Sequence, residues 1–214
     1  RIYAACEKRF SKVPPSAIIL THGHFDHVGS ALELAKFWDI PIYIHQDEID
    51  YVTDKKTYPP ADPTVGGGAL SLLSPIFPKK PVNLKGYVEP LPPNGYIPFL
   101  NDWQYIHTPG HSPGHIVLYR EHDKILITGD AIVTENPESS FAMLFPFQKV
   151  HGPPAYFTSD WQKAEQSVKK LAGLEPEHLI AGHGLPMEGE LLREQLQDLA
   201  NDFIKQAIPK HKRQ

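Results

Sequence analysis

At four places in this chain an apolar run ends on histidine or aspartate set among glycines. Ala17–Leu20 leads into Thr21-His22-Gly23-His24-Phe25-Asp26-His27, and Trp103–His107 into Thr108-Pro109-Gly110-His111. Lys124–Thr128 leads into Gly129-Asp130, and His178–Ala181 into Gly182-His183-Gly184. A continuous apolar run such as Ala17–Leu20 marks a strand buried on both faces. Pro41–Ile44 reads as another strand, and Ile116–Tyr119 and Lys124–Thr128 as a hairpin joined through residues 120–123. Helical patterns cover Arg1–Lys12, Val28–Trp38, Asp47–Val52, a stretch from Ser159 or Asp160 to Leu171, and Glu188–Ile208. The last carries Leu191, Leu192, Leu196, Leu199 and Phe203 on one face. Alternating short strands and helices predict an α/β fold. In such folds sites form beyond the carboxyl ends of strands, where all four motifs fall.

Composition narrows the function classes. The chain has 214 residues, enough for one large domain or two small ones, and no apolar run near the ~18 residues of a membrane helix. No charged-then-apolar leader opens the chain. A net charge of −4 argues against a nucleic-acid face, and the basic Lys210–Arg213 reads as a solvated end. The single cysteine, Cys6, can close no internal disulfide, which fits a reducing compartment and an expected cytoplasmic location. Two proline- and aromatic-rich stretches interrupt the pattern. Residues 54–98 read as a long irregular insertion with one short helix near Leu70–Leu73, and residues 134–157 read as a second loop.

The first motif packs three imidazoles and a carboxylate into six residues, donors that suit a borderline divalent ion such as zinc. Residues two apart on an extended segment point the same way, so His22 and His24 can grip one ion. Asp26 and His27 lie where the chain turns into a helix and face elsewhere, toward a second ion. The competing reading is a surface cluster in which Asp26 only caps a helix. His111, Asp130 and His183 are weak singly but strong together, since each follows a strand and precedes a turn. His115 is expected to brace the loop of His111. His45, His107, His122, His178 and His211 read as ordinary, and His151 as a candidate substrate contact.

The order His-x-His-x-Asp-His, distant histidine, Gly-Asp and Gly-His-Gly resembles the metallo-β-lactamase superfamily of hydrolases, from His22 to His183. The resemblance implies an α/β fold of one kind, a four-layer α/β/β/α sandwich with metals at one edge of the paired sheets. It also implies the ligand roles. His22, His24 and His111 would hold one ion, Asp26, His27 and His183 the other, and Asp130 would bridge them. The cofactors would be two divalent ions, zinc first, with iron or manganese as alternatives. Members carry several strands ahead of the first motif, whereas only about 20 residues precede it here. The chain therefore reads as a single domain over 1–214, N-terminally incomplete, with the insertion at about 54–98.

Two dications balanced by Asp26, Asp130 and a hydroxide leave a charge of about +1, which welcomes a developing oxyanion. A metal lowers the pKa of bound water from 15.7 to about 7, and that hydroxide would attack an ester, thioester or lactone carbonyl. Asp26 would orient the nucleophile and pass a proton to the leaving group. Val133 stands where lactonases of the family carry a tyrosine. Residues 131–150 hold no tyrosine and only Lys149 as a base, unlike glyoxalase II, and Cys6 is misplaced for a cysteine-ligated β-lactamase. The loops 54–98 and 134–157, with Tyr58, Phe77, Phe141, Phe145 and Phe147, predict a pocket for small molecules with apolar groups, with neither nucleic acid nor membrane as partner. Two competitors remain: an iron-dependent oxidoreductase on the same fold, resembling a sulfur dioxygenase, and a non-catalytic metal-binding module.

Overall fold

Successive residues in the strands belong to different layers, and this alternation organises the molecule. A computed structural model describes residues 1–11, 13–65, 82–135 and 148–213. One sheet holds β1 (Ile18–Ile19), β2 (Ile42–Ile44) and β3 (Val88–Pro90), all parallel and in that order. The other runs β4 (Gln104–His107), β5 (Ile116–Arg120), β6 (Ile125–Gly129), β7 (His178–Ala181) and β8 (Met187–Glu188). Its neighbours are antiparallel except the β6–β7 pair.

Ile19 and Tyr43 of the first sheet meet Tyr105, Ile116, Leu118 and Ile127 of the second in one shared core. The alternate residues face outward on both sides. Ile18, Ile42 and Ile44 pack with Val28, Ala31 and Ala35 from helices α2 (Phe25–Val28) and α3 (Ala31–Trp38). Val117, Tyr119, Leu126 and Leu179 pack under α5 (Trp161–Ala172) and α6 (Gly189–Asn201). Helix, sheet, sheet, helix is the four-layer α/β/β/α arrangement. Each wholly buried aliphatic side chain contributes roughly 1.5–3 kcal/mol to holding these layers together. Asp160 begins α5 by accepting a hydrogen bond from the Lys163 amide at 3.0 Å.

Several elements differ from expectation. The helix expected over Val28–Trp38 is two helices separated at Gly29-Ser30, residues that sit poorly inside helices. Ile18 and Ile19 are each only half-buried, because β1 is an edge strand, and burial is complete first at Leu20. The expected insertion 54–98 contains β3, which adds the third strand. Pro90 is tolerated there because β3 lies at the sheet edge. The short helix expected at Leu70–Leu73 lies outside the described residues. Helix α1 (Ile2–Phe10) buries no side chain, although Tyr3 packs edge-on against Phe37 with ring centres 5.1 Å apart. The expected last helix breaks at Asp202 into α6 and α7 (Phe203–Gln206). The C-terminal tail is exposed at Lys210, His211 and Arg213, as expected, and is also tied down: Lys212 pairs with Asp62 and Arg213 bonds backbone carbonyls of Lys205 and Ile208. Helix α4 spans Ile49–Val52. Among the described residues no helix is long and apolar enough to cross a membrane.

Leu191 was expected on the buried face of the last helix but is 55 % exposed, whereas Leu192 is wholly buried. Leu192→Ala should cost about 2–5 kcal/mol in chemical denaturation and Leu191→Ala about 0.5 kcal/mol or less. Equal losses would mean that α6 presents a different face to the sheet.

Candidate metal centre

Strand ends bring the sequence motifs to one place. The segment after β1 bends at Thr21, is extended at His24 and then turns into α2, which carries Asp26 and His27 in its first turn. Asp26 is thus inside the helix and His24 stands at its N-cap position, contrary to the reading of Asp26 as a simple cap. His111 lies on the turn between β4 and β5, Asp130 just past β6, and His183 just past β7.

The seven side chains form two adjoining groups, His22, His24 and His111 in one and Asp26, His27, Asp130 and His183 in the other. Within each group one potential ligand atom per residue lies within 4.8 Å of the others. His24 Nδ1 is 2.9 Å from His111 Nε2. Asp130 reaches both groups. Its Oδ2 is 3.4 Å from His111 Nε2 and 3.4 Å from His183 Nε2, and its Oδ1 is 3.3 Å from His27 Nε2. Asp26 Oδ2 is 3.3 Å from His183 Nε2 and 3.7 Å from His27 Nε2.

These spacings suit ions. Tetrahedral donors at zinc bond lengths sit roughly 3.3 Å from one another. His22 Nε2, His27 Nε2 and Asp130 Oδ1 are buried without a hydrogen-bond partner, a costly state that an ion would relieve. The two groups differ in exposure: His22, His24 and His111 are buried, while Asp26 and His183 have about a third of their side chains open to solvent.

They also differ electrostatically. Burial pushes His22 and His111 well below the usual histidine range and His24 down to about 4, so all three offer neutral nitrogens. Hydrogen bonding to Asp130 and Asp26 lifts His183 to about 10. Burial works to raise Asp130, but the bond from His183 and the neighbouring His27 and His111 rings overcome it and hold the carboxyl well below the usual range.

His115, expected to brace rather than ligate, has both ring nitrogens engaged. Nδ1 lies 2.9 Å from Thr108 Oγ1, and Nε2 accepts the Asp130 backbone N–H at 3.0 Å. It therefore fixes the turn that aims Asp130. His151 pairs through its backbone with Val133, and burial first, then Lys149, lowers its ring to about 4. His45 and His107 stack with centroids 4.1 Å apart and lie beside Asp47, a third grouping of possible ligands that sequence reading passed over. Glu48 was missed too. It is wholly buried and accepts hydrogen bonds from the amides of Gly23 and Gly114. A glutamate in a run of polar residues gave no signal of this. Phe157 stands 5.0 Å from the His24 ring and 6.2 Å from Phe25, an aromatic wall beside the centre. Phe77, Phe141, Phe145 and Phe147 lie outside the described residues.

Known proteins are similar to this chain in sequence and fold. A family model described as the metallo-beta-lactamase superfamily matches residues 1–183. The chain is 50 % identical over 185 residues to the probable metallo-hydrolase YflN of Bacillus subtilis, covering 86 % of this chain and 70 % of that protein. It is 27 % identical over 169 residues to the hydroxyacylglutathione hydrolase GloC of Haemophilus influenzae, covering 78 % of this chain and 68 % of that protein. The solved structure of TTHA1623 in a di-iron-bound form is similar at a TM-score of 0.57 and 27 % identity, covering 94 % of this chain and 83 % of that one.

The opposed shifts give the metal-free protein a stability optimum. His24 at about 4 and His115 at about 3 are depressed, so their contribution grows as pH rises toward ~6.5. His183 is raised, so its contribution is complete below ~6.5 and is lost as pH climbs through about 10. After exhaustive chelation, Tm should peak near pH 6.5, with the alkaline arm shallower because His183 is partly solvated. A Tm that rises steadily from pH 6.5 to 10 would contradict the His183 environment.

Proposed function

The chain belongs to the metallo-β-lactamase superfamily of metal-dependent hydrolases, and within it we propose a dinuclear enzyme that cleaves small esters, thioesters or lactones bearing apolar groups. The observation that carries this reading is the sharing of Asp130 between two ligand groups. His22, His24 and His111 would hold one divalent ion, and Asp26, His27 and His183 the other, with Asp130 common to both. When bound, such a pair supplies an ionised water at neutral pH and polarises a carbonyl oxygen.

The chain's own residues would do the rest. The half-open side at Asp26 and His183 is where a carbonyl would enter, since the three-histidine side is closed. Asp26 would orient the attacking water and carry its proton to the leaving group. His115 keeps Asp130 in place through its amide. Phe157 and Phe25 would receive an apolar acyl or alkyl group, which supports neutral carboxyl esters over anionic phosphodiesters. The likeness to a hydroxyacylglutathione hydrolase supports keeping thioesters in the substrate class. We place the protein in the cytoplasm, as one domain over 1–214, with a small molecule as partner and neither nucleic acid nor membrane.

A second reading has a specific observation behind it. The similarity to a protein solved in a di-iron-bound form supports iron as the bound metal, the condition that an iron-dependent oxidoreductase would need. Histidine and carboxylate donors accept either metal.

The test is catalytic efficiency on an apolar lactone, an aryl ester, a thioester and bis(p-nitrophenyl) phosphate, with metal content measured on the same natively purified sample. We expect the carboxyl substrates to lead. Asp26→Asn should lose about 10²–10⁴-fold in kcat, and Phe157→Ala should lose about tenfold or more on apolar substrates while sparing the smallest. Preference for the phosphodiester would overturn the substrate class. Iron content with oxygen consumption and no hydrolysis would favour the second reading.

A further inference from the structure

We propose that Glu48 is a positioning residue that sets the geometry of the His22, His24 and His111 group. The proposal rests on the dinuclear reading above. Glu48 ends a short 3-10 turn, Gln46–Glu48, just past β2, and its side chain is wholly buried. Its two oxygens serve two different loops. Oε2 accepts the Gly23 N–H at 3.0 Å and the Tyr58 hydroxyl. Oε1 accepts the Ser112 hydroxyl at 2.8 Å and the Gly114 N–H at 2.7 Å. Gly23 is the residue between His22 and His24, and Ser112 directly follows His111. One carboxyl therefore ties together the two loops that supply all three histidines. Those loops have no sequence contact with each other, since His24 and His111 are separated by 87 positions.

The surroundings are shaped for this contact. A Cβ at Gly114 would stand 2.7 Å from Glu48 Cγ and 2.9 Å from its backbone nitrogen, so only glycine lets the amide approach. A Cβ at Gly23 would strike the Tyr58 hydroxyl and Val52. Tyr58 also lays its ring 4.5 Å from that of His24, so Glu48 fixes His24 from a second direction. Burial, and then the nearby Glu48 carboxyl, pushes the Tyr58 hydroxyl up, which keeps it a donor. The four donors satisfy a carboxylate that would otherwise be costly to bury. The three histidines bring no negative charge of their own, and Glu48 delivers one to the peptide between two of them. Groups that orient ligands in this way typically change metal affinity by about 10–100-fold.

A brace for the fold alone would weaken both ion sites together, whereas a positioning residue weakens one. Metal-free wild type and Glu48→Gln are titrated with zinc against a chromophoric chelator and with cobalt by visible absorption. His111→Ala and His183→Ala assign the two binding steps. Glutamine keeps the shape but turns an NH₂ toward a donor. We expect the step lost in His111→Ala to weaken about 10–100-fold in Glu48→Gln, with an altered cobalt spectrum and the other step within about threefold. If Glu48→Gln does not fold, Tyr58→Phe and Ser112→Ala each remove one donor and should weaken the same step severalfold. The proposal is overturned if folded Glu48→Gln binds both ions like wild type or weakens both steps equally. It is equally overturned if, with Glu48→Gln unfolded, both single-donor variants bind as wild type. Wild type that takes fewer than two ions fails the dinuclear reading itself, and this proposal falls with it.

Discussion

Asp130 is 3 % exposed and has three imidazoles within 3.4 Å, from two groups that otherwise do not share a member. A buried carboxylate in that position must be compensated by positive charge. Hydrogen bonding to Asp130 and Asp26 raises His183, and Asp130 works against burial to raise His27, while burial depresses the deeper His22. Much of the second sheet serves to put this one side chain there. β6 ends at Gly129, β7 runs parallel to it and ends before His183, and His115 from the start of β5 holds the Asp130 amide.

The first sheet supplies the opposite wall. Its β1 ends at the His22 loop, and the Ile116 amide bonds the Thr21 carbonyl at 2.9 Å, stitching the two sheets together at the site. Since the sheets share a core made from alternate residues of their strands, the two halves of the centre move only as far as that core allows. The result is an asymmetric centre, with a closed group of imidazoles beside a half-open group that holds both aspartates.

The candidate ligands were legible in the sequence because each follows an apolar run within a few residues, so local pattern and chemical type coincide at His22, His111, Asp130 and His183. Six of the eight strands were legible for the same reason, within a residue or two; β3 and β8 were not, and Glu188, expected to open the last helix, ends β8. What escaped depends on contacts across the fold. Val88-Glu89-Pro90 reads as loop, because nothing local tells that it pairs with β2 at a sheet edge. Glu48 carries no local signal of its burial, because its four partners come from positions 23, 58, 112 and 114. Leu191 fits the apolar stripe of α6, but the helix turns its neighbour Leu192 inward instead. His45 and His107 are unremarkable apart, and become neighbours only when β2 and β4 end side by side.

The central claim is that one carboxylate joins two ion sites, and anomalous diffraction from crystals grown with zinc addresses it directly. Two peaks about 3.5–4 Å apart, with Asp130 ligating both, His22, His24 and His111 on one, and Asp26, His27 and His183 on the other, are the predicted result. A single fully occupied ion, or two ions with Asp130 bound to only one, would contradict it.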